Sequence, residues 1–196
     1  MDQLQADPAY QARRAQKELE IARRVAELDR AEAPLVHALQ AAGIMVKRGV
    51  WDLVNTGKPY PAALPILLEH LQKPYPVEIR EGIARALAVR GSRFAWPLLA
   101  KLFREEPESR FREALAIAVA EAADESVLAE VITMAEEPKY GEYRVHLLSA
   151  LKRSKDPRAF KSILSLARDP AFEYEVNKYL RAREKRQHRD RRRDHQ

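Results

Sequence analysis

The 196-residue sequence contains no cysteine, which excludes a disulfide framework, a thiolate zinc site and a cysteine nucleophile. Glycine is scarce, at six residues, and β-branched runs are few, so the expected class is all-α. No apolar run reaches the length of a membrane span. Residues 1–8 (MDQLQADP) are polar and acidic, unlike a secretory signal; the expected location is cytoplasmic, with no membrane partner. The common catalytic signatures are also missing: there is no P-loop, dinucleotide fingerprint, HExxH or GxSxG. The expectation is a protein that is not an enzyme, with no catalytic residue, cofactor or metal site assigned.

What is there is one stretch written three times, at Val77–Ser92, Ser109–Asp124 and Glu142–Asp156. Arg80, Arg112 and Arg144 fall 32 residues apart, twice over. A large apolar residue precedes each arginine (Ile79, Phe111, Tyr143) and another follows it (Ile83, Leu115, Leu147). Apolar positions at i, i+4, i+7 and i+8 make one face of a 3.6-residue period, so each copy is predicted to be a helix. A second, shorter helical pattern precedes each copy: 63–71, 95–103 and 128–135, with a fourth at 159–167. Pro65 and Pro97 fit the first turns of their helices, where the missing N–H costs nothing. A pair of helices of this kind cannot bury its apolar face alone and must stack on its neighbours.

These residues resemble the HEAT-repeat family, in the short HEAT-like form found in phycobilisome lyases. Asp156-Pro157-Arg158-Ala159, then Ile163, Leu164 and Leu166, then Asp169-Pro170 match that pattern, and Arg80, Arg112 and Arg144 match its second-helix arginine. The resemblance covers roughly residues 60–180. It implies a right-handed α-solenoid of about four helix pairs with an N-terminal helical cap, and a scaffold that binds rather than catalyses. It also implies that the repeated arginines join successive copies, with Asp124 and Asp156 as their partners.

Three segments are expected: a helical cap with a degenerate repeat (1–57), the repeat array (58–180) and a basic tail (181–196) that extends a helix and then loses order. Residues 8–32 read as one helix, with Asp7 as N-cap and Pro8 at its first position. Leu19, Ala22, Val25, Ala26 and Leu28 form its narrow apolar stripe, read either as a cover for the first copy or as a dimerising arm. Residues 34–42 read as a second helix ended by Gly43. Trp51 is read as a core plug. The KPYP motifs at 58–61 and 73–76, with Pro138-Lys139-Tyr140-Gly141, read as loop punctuation with tyrosines packed over helix ends.

The outward positions of the second helices are Glu78, Glu81, Arg85, Arg110, Glu113, Ile117, Glu142 and His146. They are mixed in charge, with an apolar middle at Ala114 and Ile117. That face suits a protein or peptide partner better than a phosphate backbone, which calls for a stripe of one sign. Glu142 and His146, four apart on one predicted helix, are too few for a metal. The tail is different. Residues 181–196 hold eight cations (Arg181, Arg183, Lys185, Arg186, Arg189, Arg191, Arg192 and Arg193) against three acids, five of the chain's six net positive charges. The leading expectation is a scaffold or adaptor that binds a protein on its concave side, as a monomer or weak dimer. The alternative is nucleic-acid binding through the tail. An enzyme of the lyase or DNA-glycosylase type ranks below both, because no residue here carries those roles.

Overall fold

A computed structural model of the chain describes residues 7–107 and 109–193, the side chains of 187, 188 and 190–193 excepted. All regular structure among the described residues is helical, and none of these helices is long and apolar enough to cross a membrane. Contacts divide the chain into two compact units, Met1–Ile83 and Ala84–Gln196.

The first unit begins with α1 (Pro8–Ala41), continues through α2 (Trp51–Val54) and α3 (Ala63–Leu71), and ends within α4 (Val77–Ala86). Asp7 caps α1, its carboxylate accepting from Ala9 N at 2.9 Å. The two helices expected at 8–32 and 34–42 are one helix of 34 residues with Pro34 inside it. Pro34 leaves the Arg30 carbonyl without its helical donor, a defect that costs about 3 kcal/mol. Leu35 and Leu39, one turn apart and fully buried, each contribute roughly 1.5–3 kcal/mol, enough to carry the helix through. The stripe in the first half of α1 is not covered: Leu19 is 71% exposed and Val25 51%. That half is held by short-range charge pairs such as Arg14–Glu18 and Arg23–Glu27 and by Arg24, which donates to Glu78 at 2.7 Å.

The loop after α1 is organised by two carboxylates. Gly43 ends the helix with φ +76°, the left-handed conformation that glycine adopts without penalty. Glu32, buried in α1, accepts from Val50 N at 2.6 Å, and its desolvation raises its pKa. Asp52 accepts from the backbone N–H groups of Lys47 and Arg48. Val50 fills the core position, and Trp51 is an exposed neighbour of Gly82 rather than the expected plug. The KPYP tyrosine does pack at a helix end: Tyr75 Oη lies 2.7 Å from His70 Nδ1 and the two rings stack. Lys73 Nζ donates to His70 Nε2 at 3.0 Å.

The second unit follows the predicted alternation closely. After a 3₁₀ turn (Arg90–Ala95) come α5 (Trp96–Glu105), α6 (Arg110–Ala122), α7 (Leu128–Glu136), a 3₁₀ stretch (Glu142–Leu147) running into α8 (Leu148–Arg153), α9 (Pro157–Leu166) and α10 (Glu173–Arg193). Side-chain oxygens start α6 and α9: Ser109 accepts from Arg112 N and Asp156 from Arg158 N, each satisfying a first-turn donor. Asp124 does the same for Ser126 N in the turn before α7. Helix α6 packs on both α5 and the 142–147 stretch; α9 packs on α7 and α8, and α10 packs on α9.

Two of the three arginines, Arg112 and Arg144, reach the segment that follows their own copy, but through partners other than those expected. Arg112 and Arg144 are buried. The Arg112 guanidinium lies over the rings of Phe103 and Tyr140, at 5.5 and 5.7 Å. Arg144 lies over Phe172 at 5.3 Å, donates to the carbonyls of Gly141 and Ala135, and pairs with Asp169 at 2.9 Å. Tyr140 and Phe172 each stand 28 residues after the arginine they receive. Asp124 and Asp156 are not those partners: Asp124 accepts from Ser126 and faces Arg93, and Asp156 is paired with Arg158. The third copy departs from its prediction too. Gly141 enters with φ +68°, Arg144 bonds back to it, and the chain winds as 3₁₀ over 142–147 before becoming α-helical.

Candidate functional site

Helix α6 is flanked on two sides, so most of it is core: Phe111, Leu115, Ala118, Val119 and Ala122 are all buried. One line escapes. Glu113, Ile117 and Glu121 recur every four residues and are half-buried, the spacing that keeps side chains on one helix face. Ala114, expected to share the apolar middle with Ile117, is fully buried; it faces the core because α6 is packed from both flanks.

The neighbouring copies bring polar groups to this line. Arg85, near the end of α4, places Nη2 3.6 Å from Glu113 Oε2. His146 places Nε2 3.6 Å from Glu113 Oε1. At the other end, Ser149 Oγ donates to Glu121 Oε1 at 3.0 Å and Arg153 Nη1 donates to the same oxygen at 2.9 Å. Arg153 also donates through Nη2 to the Ala120 carbonyl. Two polar clusters therefore bracket Ile117, one around Glu113 and one around Glu121. Half-exposed pairs of this kind contribute only about 0–1 kcal/mol each. Their effect is to hold the side chains in fixed positions rather than to stabilise the fold.

His146 is the titratable centre of the first cluster. Burial pulls its pKa below the ordinary histidine value, the Glu113 carboxylate opposes that, and Arg85 reinforces it. The shared helix face expected for Glu142 and His146 rested on an α-helical spacing; the segment is 3₁₀ over 142–147, and His146 lies against Glu113. Among the described residues no group of three or more His, Asp or Glu could hold a metal ion.

The remaining surface candidates are spread out. Arg110 and Glu142 are exposed, at the first positions of their elements. In the first unit, Glu78 accepts from Arg24 and Glu81 is buried, at 7% exposure. In the tail, Arg181, Arg183, Lys185, Arg186 and Arg189 are exposed on α10; the side chains of Arg191, Arg192 and Arg193 lie outside the described residues. Glu121 and Arg153 were missed in the sequence. They stand 32 residues apart, the repeat period itself, but the row begins at apolar Val89, which hides its polar character.

Beside Arg153 opens a cleft of about 210 Å³ lined by Arg90, Arg93, Asp124, Glu125 and Ser154. Its polar groups are engaged with one another: Arg93 lies 3.9 Å from Asp124, and Glu125 accepts from Ser154 Oγ and Lys155 N.

Compared with protein-family models, curated proteins and solved structures, the chain matches none.

Proposed function

We propose that this protein is a non-enzymatic helical scaffold of HEAT-like repeats, an adaptor that binds a protein or peptide through the face centred on Ile117. The observation that carries this reading is the assembly of Arg85, Glu113, His146, Glu121, Ser149 and Arg153 around one half-buried apolar residue. Three successive copies of the repeat contribute to it. An apolar centre ringed by both signs of charge is the pattern of a protein interface, where an anchor is desolvated at the core and polar groups set register at the rim. A phosphate backbone has no use for Glu113 and Glu121, which would repel it.

The partner's complementary surface carries an apolar side chain for Ile117, flanked by charges of both signs. The face uses no cofactor, and the protein acts in the cytoplasm as a monomer or weak dimer. The test is affinity capture with the full chain and with Ile117→Glu and Glu113→Arg, melting each variant alongside. Loss of the captured partner at unchanged melting temperature is expected. Capture that survives both substitutions refutes the assignment of this face.

A further inference from the structure

We infer that the outer face of α10 is a binding site for the phosphodiester backbone of a nucleic acid. The helix has two distinct sides. One docks on the fold: Val176 is fully buried, Lys152 Nζ lies 5.1 Å from the centre of the Tyr179 ring, and the Arg183 guanidinium lies 4.3 Å from that of Phe160. Arg183, though basic and exposed, therefore belongs to the packing side.

The other side is a stripe. Tyr174, Lys178, Arg181, Lys185 and Arg189 follow at intervals of four, three, four and four residues, which holds them on one face of an α-helix. All five are exposed. By register, Glu173, Glu175 and Glu184 fall outside the stripe. Glu175 reaches one member from its flank, Lys178 at 3.8 Å; among the described residues no acid pairs with the other three cations of the row. From Lys178 to Arg189 the row spans about 16 Å at the α-helical rise of ~1.5 Å per residue. Tyr174 is 74% exposed and stands at the head of the row with Lys178 Nζ over its ring. Tyr174, Lys178, Arg181 and Lys185 surround an open groove of about 320 Å³ with Ala182 between them.

Each feature favours a nucleic acid over other anionic partners. A one-signed row of cations neutralises consecutive phosphates and releases their counterions. The exposed tyrosine beside a small-residue groove offers a surface on which a base or sugar can lie. A membrane-surface helix would need a broad apolar face turned outward; here Val176 and the Tyr179 ring are turned to the fold, and the five stripe residues include no aliphatic side chain. This inference is independent of the face around Ile117, and neither falls with the other.

The test uses the full chain and fluorescence anisotropy with a labelled DNA duplex and a single strand of equal length, over a series of salt concentrations. Binding is expected with a log–log salt slope of roughly −2.7 to −3.6 on duplex, from three to four phosphates at about 0.9 each. Arg181→Gln with Lys185→Gln should flatten the slope by about 1.8 and weaken binding about sixtyfold at 0.1 M salt. Arg181→Lys with Lys185→Arg should keep both. Lys101→Gln with Lys161→Gln, which removes two exposed charges elsewhere in this unit, should change affinity far less. The inference is overturned if the Lys101/Lys161 pair weakens binding as much as the stripe pair, if neither probe binds at low salt, or if polyglutamate or phosphatidylserine vesicles bind as tightly as the DNA and lose the same factor in the stripe variant. Melting temperatures measured alongside separate lost binding from lost folding.

Discussion

Arg112 and Arg144 hold matching positions 32 residues apart, yet their surroundings predict unequal responses to the same substitution. Replacing either by methionine keeps an unbranched apolar stem and removes the guanidinium. At Arg144 that deletes the ion pair to Asp169 at 2.9 Å and the donations to Gly141 O at 2.8 Å and Ala135 O at 3.0 Å. The partners then stay behind without their donor; breaking a buried pair this way costs about 3–5 kcal/mol. At Arg112 the loss is contact with two aromatic faces, roughly 0.5–2 kcal/mol each. Against it stands a gain. Arg112 Nε is buried without a hydrogen-bond partner, and removing such a group relieves about 1–3 kcal/mol. The thioether also packs well on Phe103 and Tyr140. Arg112→Met should therefore cost less than about 1.5 kcal/mol. In a chain of this length 1 kcal/mol moves the melting temperature by about 2–4 °C, so Arg144→Met should lower it by roughly 6–20 °C and Arg112→Met by no more than about 6 °C. Urea unfolding, followed by circular dichroism with the slope m checked for constancy, gives the two free energies. Equal costs at the two sites would refute the claim that hydrogen bonding, rather than position in the repeat, sets the arginine's contribution.

Further outcomes follow from other sites. Gly49 has φ +89°, and a Cβ there would lie 2.2 Å from Glu32 Oε2; Gly49→Ala should destabilise by about 2–4 kcal/mol through backbone strain and displacement of the Glu32–Val50 bond, and a Glu32→Ala background should remove much of that cost in a double-mutant cycle. Pro34→Ala should restore a donor to Arg30 O and stabilise α1 by about 1–3 kcal/mol; an unchanged melting curve would count against a continuous helix through 34. Burial is the main cause lowering the pKa of both His70 and His146, with Lys73 and Arg85 adding to it. Their neutral forms are favoured in the fold, so their contribution is fully present above the unfolded value near 6.5 and is lost as pH falls through the folded values. Imidazole titration by NMR should place both midpoints below that value, and a midpoint at or above it in either residue contradicts the assigned surroundings.

The first helices of each pair were legible because apolar spacing and proline position agree. The segment 63–71 is α3 residue for residue, and 128–135 is α7 short of one residue. The second copy was legible as well, since Ser109 starts it and Asp124 follows it with a capping oxygen at each end. What failed was decided by tertiary partners. Pro34 signals a helix break, but the burial of Leu35 and Leu39 outweighs it. Glu142–Arg153 has the apolar rhythm of its sister copies, yet Gly141 and the back-bonded Arg144 wind its first half as 3₁₀. The arginine period was plain, whereas its partners were hidden: Tyr140 and Phe172 lie in connecting segments, where residues read as punctuation. Part of the candidate face, too, was visible as matched rows, including Arg85, Glu113, Ile117 and His146. Glu121 and Arg153 were not, because a row with Val89 at its head does not look like a surface.

The polar joints of the second unit share a reach. Arg104–Glu130, Ser149–Glu121, Ser154–Glu125, Ser162–Glu136 and Arg153–Glu121 link residues 26, 28, 29, 26 and 32 apart. Each joint thus closes a loop of nearly the same size, and loop-closure entropy grows only slowly with length. None of these joints spans much more than one repeat period, so the unit closes without very distant pairings, which would slow folding. During synthesis a copy needs only about thirty further residues to emerge before its joints can form. The unit is then expected to gain structure in even steps as it leaves the ribosome, with Phe172 seated under Arg144 before α10 docks through Val176, Tyr179 and Arg183.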